Sequence, residues 1–211
     1  MKFFDCSTAP SPRQVRIFIA EKGIKDIIET IEVNLRDGEQ LTDEFRKVNP
    51  YCTVPVLETD DGTRVYSTAG CCRYLEEAYP EPCLMGNTNE EKAIIADMQW
   101  RVEIDGLLAV GEALRNSAPG LKDRALTGPD NYAQIPDLAE RGRKRVERFF
   151  IMMDQILENK NYIAGSDFTY ADITAYCAIS FATRLKFDLP DNAINLHQWF
   201  ESINERASSK M

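Results

Sequence analysis

Histidine is nearly absent from this 211-residue chain: there is one, His197. That scarcity removes most histidine-based zinc sites and most histidine-centred acid–base triads. Basic residues are outnumbered, 25 against 34 acidic, for a formal net charge of −9. So acidic a chain lacks the concentrated positive face that nucleic acid or an anionic membrane surface requires, and neither is expected as a partner. No run approaches the ~18 apolar residues needed to span a bilayer. The start, Met1 to Ser7, turns polar after Phe3-Phe4 and has no signal-peptide core. These absences predict a cytoplasmic protein. Glycine-rich phosphate loops, paired-glycine dinucleotide motifs, Cys-x-x-Cys pairs and internal repeats are also missing, and no metal site is expected.

What is present belongs to a folded chain. Hydrophobic residues make up 44% and charged residues 28%, enough apolar side chain to build a core for one large domain or two small ones. The six cysteines are Cys6, Cys52, Cys71, Cys72, Cys83 and Cys177. In the cytoplasm they stay reduced, and adjacent Cys71 and Cys72 are too strained to bridge. Most read as small buried hydrophobes.

The chain changes grammar near residue 80. Lys2–Asp5 reads as a strand, and Val15, Phe18 and Ile19 set a helix from Pro12 to a capping Gly23. Ile27–Val33 is rich in β-branched residues and reads as a strand, and Leu41–Val48 as a short helix stopped by Asn49-Pro50. Val54–Glu58 and Thr63–Tyr66 form a hairpin around a Gly62-containing turn, and a helix follows from Ser67 to about Tyr79. The order β-α-β-α-β-β-α describes a thioredoxin-like α/β domain over 1–79. Pro80-Glu81-Pro82 and Gly86-Asn87 punctuate a linker over 80–88. From 89 to 211 only helical patterns occur, so the second domain reads as all-α. One long helix covers Glu90–Asn116, with Ile94, Met98 and Val102 on one face. A second stripe runs through Val146, Phe149, Phe150, Met153, Ile156 and Leu157. Thr169-Tyr170-Ala171-Asp172 has the form of a capping box before the apolar run Ile173–Phe181, and a last helix covers Leu196–Arg206. His197 falls on that last helix and reads as a packing or surface residue.

Four stretches in register resemble the cytosolic glutathione S-transferase family, above all its bacterial theta-, zeta- and nu-type members. They are Val15–Ile24, the segment Asn49-Pro50-Tyr51-Cys52-Thr53-Val54-Pro55-Val56-Leu57, Ser67 to Glu77, and Phe168-Thr169-Tyr170-Ala171-Asp172-Ile173. The resemblance implies an N-terminal thioredoxin-like domain that binds glutathione and a C-terminal helical-bundle domain that takes the electrophile. It also implies a homodimer, a detoxifying transferase activity on a small, partly apolar electrophile, and glutathione as cosubstrate without a cofactor.

The resemblance assigns roles residue by residue. A cis Val54-Pro55 bond turns the Val54 backbone outward to pair with the cysteinyl peptide of glutathione, flanked by Cys52 and Thr53. Ser67, at a helix N-cap, holds the γ-glutamyl carboxylate together with the free N–H groups of that helix. Gln40 stands where relatives contact the glycyl carboxylate, and Cys52 where they carry Gly, Asn or His. Two positions depart from the pattern. Tyr66 replaces the acidic residue that meets the γ-glutamyl ammonium, and Ala9 replaces the serine or threonine that stabilises the thiolate. The nearby hydroxyls are Ser11, suited to an N-cap ahead of Pro12, and Thr8; Ser11 is the leading candidate activator. Cys6, at a strand end, is a weaker candidate as a mixed-disulfide nucleophile. Because of Ala9 and Tyr66, two other readings stay open. One is a glutathione-dependent disulfide reductase, peroxidase or lyase; the other is a non-catalytic glutathione transferase-like binding protein.

Overall fold

A computed structural model describes all 211 residues, which pack into two compact units: Met1–Pro82 with Leu126–Asn131 and Met211, and Cys83–Ala125 with Tyr132–Lys210. The first unit contains β1 (Lys2–Asp5), α1 (Pro10–Glu21), β2 (Glu29–Glu32), α2 (Asp43–Val48), β3 (Val56–Glu58), β4 (Arg64–Val65) and α3 (Thr68–Ala78). The sheet order is β2-β1-β3-β4, with β1 parallel to β2 and antiparallel to β3, and β3 antiparallel to β4. Central β1 buries both faces, as a strand covered on both sides must. Phe3 is fully buried, and Phe4 joins Val33, Phe45 and Val56 in a cluster that Val54 and Tyr66 edge. Fully burying such a side chain stabilises by about 1.5–3 kcal/mol.

Local chemistry moves several element ends from their sequence-based positions. α1 starts at Pro10 because that proline, not Pro12, takes the first helical position. Gly23, at φ +67°, follows the C-cap Lys22, as the sequence suggested. β2 is short because Lys25–Ile27 winds into a 3-10 turn. α2 starts after Thr42, whose hydroxyl accepts the Phe45 N–H at 3.2 Å.

The second unit contains α4 (Asn89–Val102), α5 (Leu108–Arg115), α6 (Pro136–Ile156), α7 (Tyr170–Arg184) and α8 (Ile194–Asn204). The long helix expected over Glu90–Asn116 is interrupted by a π turn at Glu103–Leu107. Within it a Cβ on Gly106 would meet the Phe149 ring at 2.6 Å, and Arg145 Nη2 donates to the Ile104 carbonyl at 2.5 Å. Ile94 leaves the expected stripe and is exposed; neighbouring Ile95 is buried instead, in line with Val102. On α6, Val146, Phe149, Phe150 and Met153 face the core as the period required, with Leu157 buried just past its end. The capping box forms: Asp172 accepts the Thr169 N–H and hydroxyl at 3.0 and 3.1 Å. Its other oxygen accepts Ile163 N–H at 3.0 Å and Trp199 Nε1–H at 3.1 Å. Burial outweighs these donors and pushes the Asp172 carboxyl up to about 6. His197 is half-buried and its Nε2 lies 3.1 Å from the Pro190 carbonyl, a packing role. No helix is long and apolar enough to cross a membrane.

Candidate functional site

The β1–α1 loop is held by charge. Arg16 Nη1 lies 2.5 Å from buried Asp5 and 3.2 Å from the Cys6 carbonyl, while Nη2 donates to the Ser7 carbonyl at 3.0 Å. Ser7 in turn donates its N–H and hydroxyl to Glu32 Oε1 at 2.8 and 2.9 Å. This frame fixes how α1 begins. Ala9 is the N-cap and offers no side-chain cap, and its own N–H is spent on the Cys6 carbonyl at 3.0 Å. Ser11 is therefore the second helical residue, not the N-cap expected from the sequence. Pro10 and Pro12 lack an N–H, so Ser11 carries the one backbone donor of the three leading helical residues, beside its hydroxyl. Thr8 is exposed, with Oγ1 3.4 Å from Sγ of the buried Cys6.

Asn49 builds the next loop. It is wholly buried, donates from Nδ2 to the Thr53 carbonyl at 2.7 Å and to Thr53 Oγ1 at 3.0 Å, and accepts the Tyr51 N–H at 2.9 Å. Cys52 is buried at φ +54°, in the left-handed region. Among non-glycine residues, Asn, Asp and His enter that region most readily. The Val54-Pro55 peptide is cis. Neither the N–H nor the C=O of Val54 has a protein partner, leaving a polar peptide edge just before β3.

Ser67 caps α3 as expected, its Oγ accepting the Gly70 N–H at 3.0 Å. The hydroxyl proton stays available to donate, and the N–H groups of Thr68 and Ala69 begin the helix unpaired. Gly70 makes this cap fit: a Cβ there would meet Val65 Cγ1 at 2.7 Å and Ser67 Oγ at 2.9 Å. Tyr66 is half-buried, edges the Phe4 cluster and meets the Tyr51 ring edge-on at 5.7 Å. Gln40 lies in the 3-10 turn Glu39–Leu41, and its Oε1 is buried without a protein partner. No cluster of three or more His, Cys, Asp and Glu side chains is arranged to hold a metal ion.

Asn49, Gly70 and the Arg16–Asp5 pair shape these loops, yet sequence reasoning assigned them no such role. Asn49 was legible as part of a helix stop and as the start of the Asn49–Leu57 stretch, and Gly70 by its place three residues after a serine cap. Arg16 carried no local signal.

Comparisons with known proteins agree on one family. The model of the glutathione S-transferase N-terminal domain matches residues 8–78, and that of the C-terminal domain matches residues 125–207. Glutathione S-transferase 2 of Saccharomyces cerevisiae is 32% identical over 211 residues, covering 100% of this chain and 88% of that protein. The crystal structure of Gtt2 from the same yeast superposes with a TM-score of 0.89 at 30% identity, covering 100% of this chain and 99% of that one. A glutathione S-transferase domain-containing protein from Marinobacter aquaeolei gives 0.90 at 35% identity, covering 99% of each chain. This chain belongs to the glutathione S-transferase family of enzymes.

Proposed function

We propose that residues 1–79 bind reduced glutathione as cosubstrate and activate its thiol for attack on a small, partly apolar electrophile held by the helical domain, 89–211, beyond a linker at 80–88. The observation that carries this reading is the unpaired Val54 peptide, on the same unit as the capped start of α3. Val54 would exchange two hydrogen bonds with the cysteinyl backbone, with Cys52 and Thr53 alongside. Ser67 and the unpaired N–H groups of α3 would take the γ-glutamyl carboxylate, which the helix dipole also favours. The Gln40 amide would meet the glycyl carboxylate through its NH2, once turned over from its present orientation. Tyr66 supplies packing and a phenol at the amino end, without the charge of an acidic residue.

Ser11, through its hydroxyl and N–H, is the group proposed to stabilise the thiolate, with Thr8 second. The thiol proton leaves to solvent, and the sulfur lone pair forms the new carbon–sulfur bond. The displaced electron pair departs with the leaving group or moves onto the activated double bond. The catalytic work is thiolate stabilisation and positioning. We place the enzyme in the cytoplasm as a detoxifying homodimer.

Ala9 favours a second reading, because its N–H is spent on Cys6 and it has no hydroxyl. A disulfide reductase, peroxidase or lyase could rely on a backbone donor such as the Ser11 N–H and on glutathione itself, and a binding protein would need no thiolate donor. Titration calorimetry with reduced glutathione, followed by rates with an aryl halide and with a glutathione mixed disulfide, tests all three. Binding with faster conjugation supports the transferase reading. Faster disulfide reduction favours the second chemistry, binding without turnover the binding protein, and no binding at millimolar glutathione overturns the glutathione site.

A further inference from the structure

Lys22 is buried far along α1 from the donors described above, its side chain 0% exposed. Its Nζ lies 2.5 Å from Glu76 Oε2 and donates to the carbonyls of Pro82 at 2.6 Å and Pro80 at 3.3 Å. Two carbonyl oxygens thus accept ammonium hydrogens, and the Glu76 carboxylate supplies the counter-charge. The ammonium also sits 5.5 Å from the Phe18 ring centroid.

Its place in the fold gives this cluster a consequence at the ligand site. Lys22 is the C-cap of α1, and Glu76 lies in the last turn of α3. The same two helices begin beside Ser11 and at Ser67, the groups assigned to the thiol and to the γ-glutamyl carboxylate. At about 1.5 Å per residue the lock lies about 17 Å from Ser11 along α1 and about 14 Å from Ser67 along α3. Apolar packing is non-directional. An ammonium held by two fixed carbonyl acceptors and a fixed counter-charge is directional. A buried ion pair is also a weak source of net stability, because desolvation offsets attraction.

We infer that Lys22 is a positioning residue for glutathione: with Glu76 it sets the axial register of α1 against α3, and hence the spacing between Ser11 and Ser67. This rests on the glutathione reading of the site. The direct test compares wild type with the double variant Lys22→Met/Glu76→Leu, which replaces the pair by apolar side chains of similar length. Such swaps commonly keep stability, so Tm is expected within about 5 °C of wild type. The Kd and KM for reduced glutathione are expected to rise roughly tenfold, with kcat on an aryl halide at saturating glutathione within about twofold. A folded double variant with wild-type Kd and KM, or with the loss confined to kcat, overturns the inference. Should the double variant fail to fold, Glu76→Gln carries the test, since it keeps the shape and one side-chain oxygen but removes the charge. Its KM for glutathione is expected to rise about threefold, and an unchanged KM overturns the inference. Absence of glutathione binding by the wild type overturns the glutathione reading itself, and a wild type that binds beside an unaffected variant overturns only the role of Lys22.

Discussion

Asn49 Nδ2 donates to the Thr53 carbonyl at 2.7 Å from a side chain wholly closed to solvent. That bond, with the Tyr51 N–H accepted at 2.9 Å, holds Tyr51 to Thr53 in the conformation that delivers Val54. Asn49→Ala strands a part-buried carbonyl and a backbone N–H and is expected to cost about 1–3 kcal/mol by urea unfolding. Asn49→Asp keeps the shape but removes the donor, and is expected to lose a comparable amount. A loss under about 0.5 kcal/mol in both variants would mean that the loop holds its shape without Asn49.

Ser67 caps α3, and a second duty, at glutathione, is proposed for it. As a cap it is worth about 1 kcal/mol of stability. As a donor to a carboxylate it is worth about tenfold or more in affinity. Ser67→Ala is therefore expected to lose both, while Ser67→Gly loses only a few tenths of a kcal/mol of stability and the full affinity. Unfolding curves and glutathione calorimetry on the same two proteins separate the duties. Equal affinity in wild type and Ser67→Gly would remove Ser67 from the ligand.

If Ser11 stabilises the thiolate, Ser11→Ala raises the pKa of bound glutathione. The acid limb of the kcat/KM profile then moves to higher pH, and kcat near neutrality falls about tenfold to a hundredfold. Thr8→Ala is expected to change both far less. A Ser11→Ala profile that overlays wild type assigns the activation elsewhere.

These residues differ in how plainly the sequence announced them. Ser67 was legible because capping is local: a serine ahead of a helical period has one common use. The start of α1 was harder, since Pro10 and Pro12 both fit a first helical turn and only the folded loop selects Pro10. Ile94 and Ile95 are neighbours, so an error of one position exchanged an exposed residue for a buried one. The π turn had no local signal, and the Phe149 ring that crowds Gly106 comes from another helix. Asn49 and Lys22 read as helix-end residues, and their weight comes from burial by distant segments. The order of strands and helices survived all of this, since it follows from periodicity and turn chemistry over many residues.

Asp172 gives a pH dependence of known sign. Its carboxyl is raised from 3.8 to about 6 by burial, so the folded state binds more protons than the unfolded state between those values. The stability it contributes is fully present below the lower value and is lost as pH rises through the upper one. A two-unit shift corresponds to about 3 kcal/mol. Glu58, Asp61, Glu91 and Glu112 are lowered and act in the opposite direction, so the quantity to read is the difference between wild type and Asp172→Asn. The variant is expected to be less stable by about 1–3 kcal/mol at pH 7, with a deficit that grows as pH falls towards 4. A deficit that shrinks on acidification would contradict the raised carboxyl.

A crystal structure with reduced glutathione bound tests the glutathione site most directly. The expected result has the ligand sulfur within about 3.5 Å of Ser11, the cysteinyl backbone paired with Val54, and the γ-glutamyl carboxylate on Ser67 at the start of α3. Glutathione bound away from Val54 and Ser67, or a sulfur whose nearest donor is neither Ser11 nor Thr8, would contradict it.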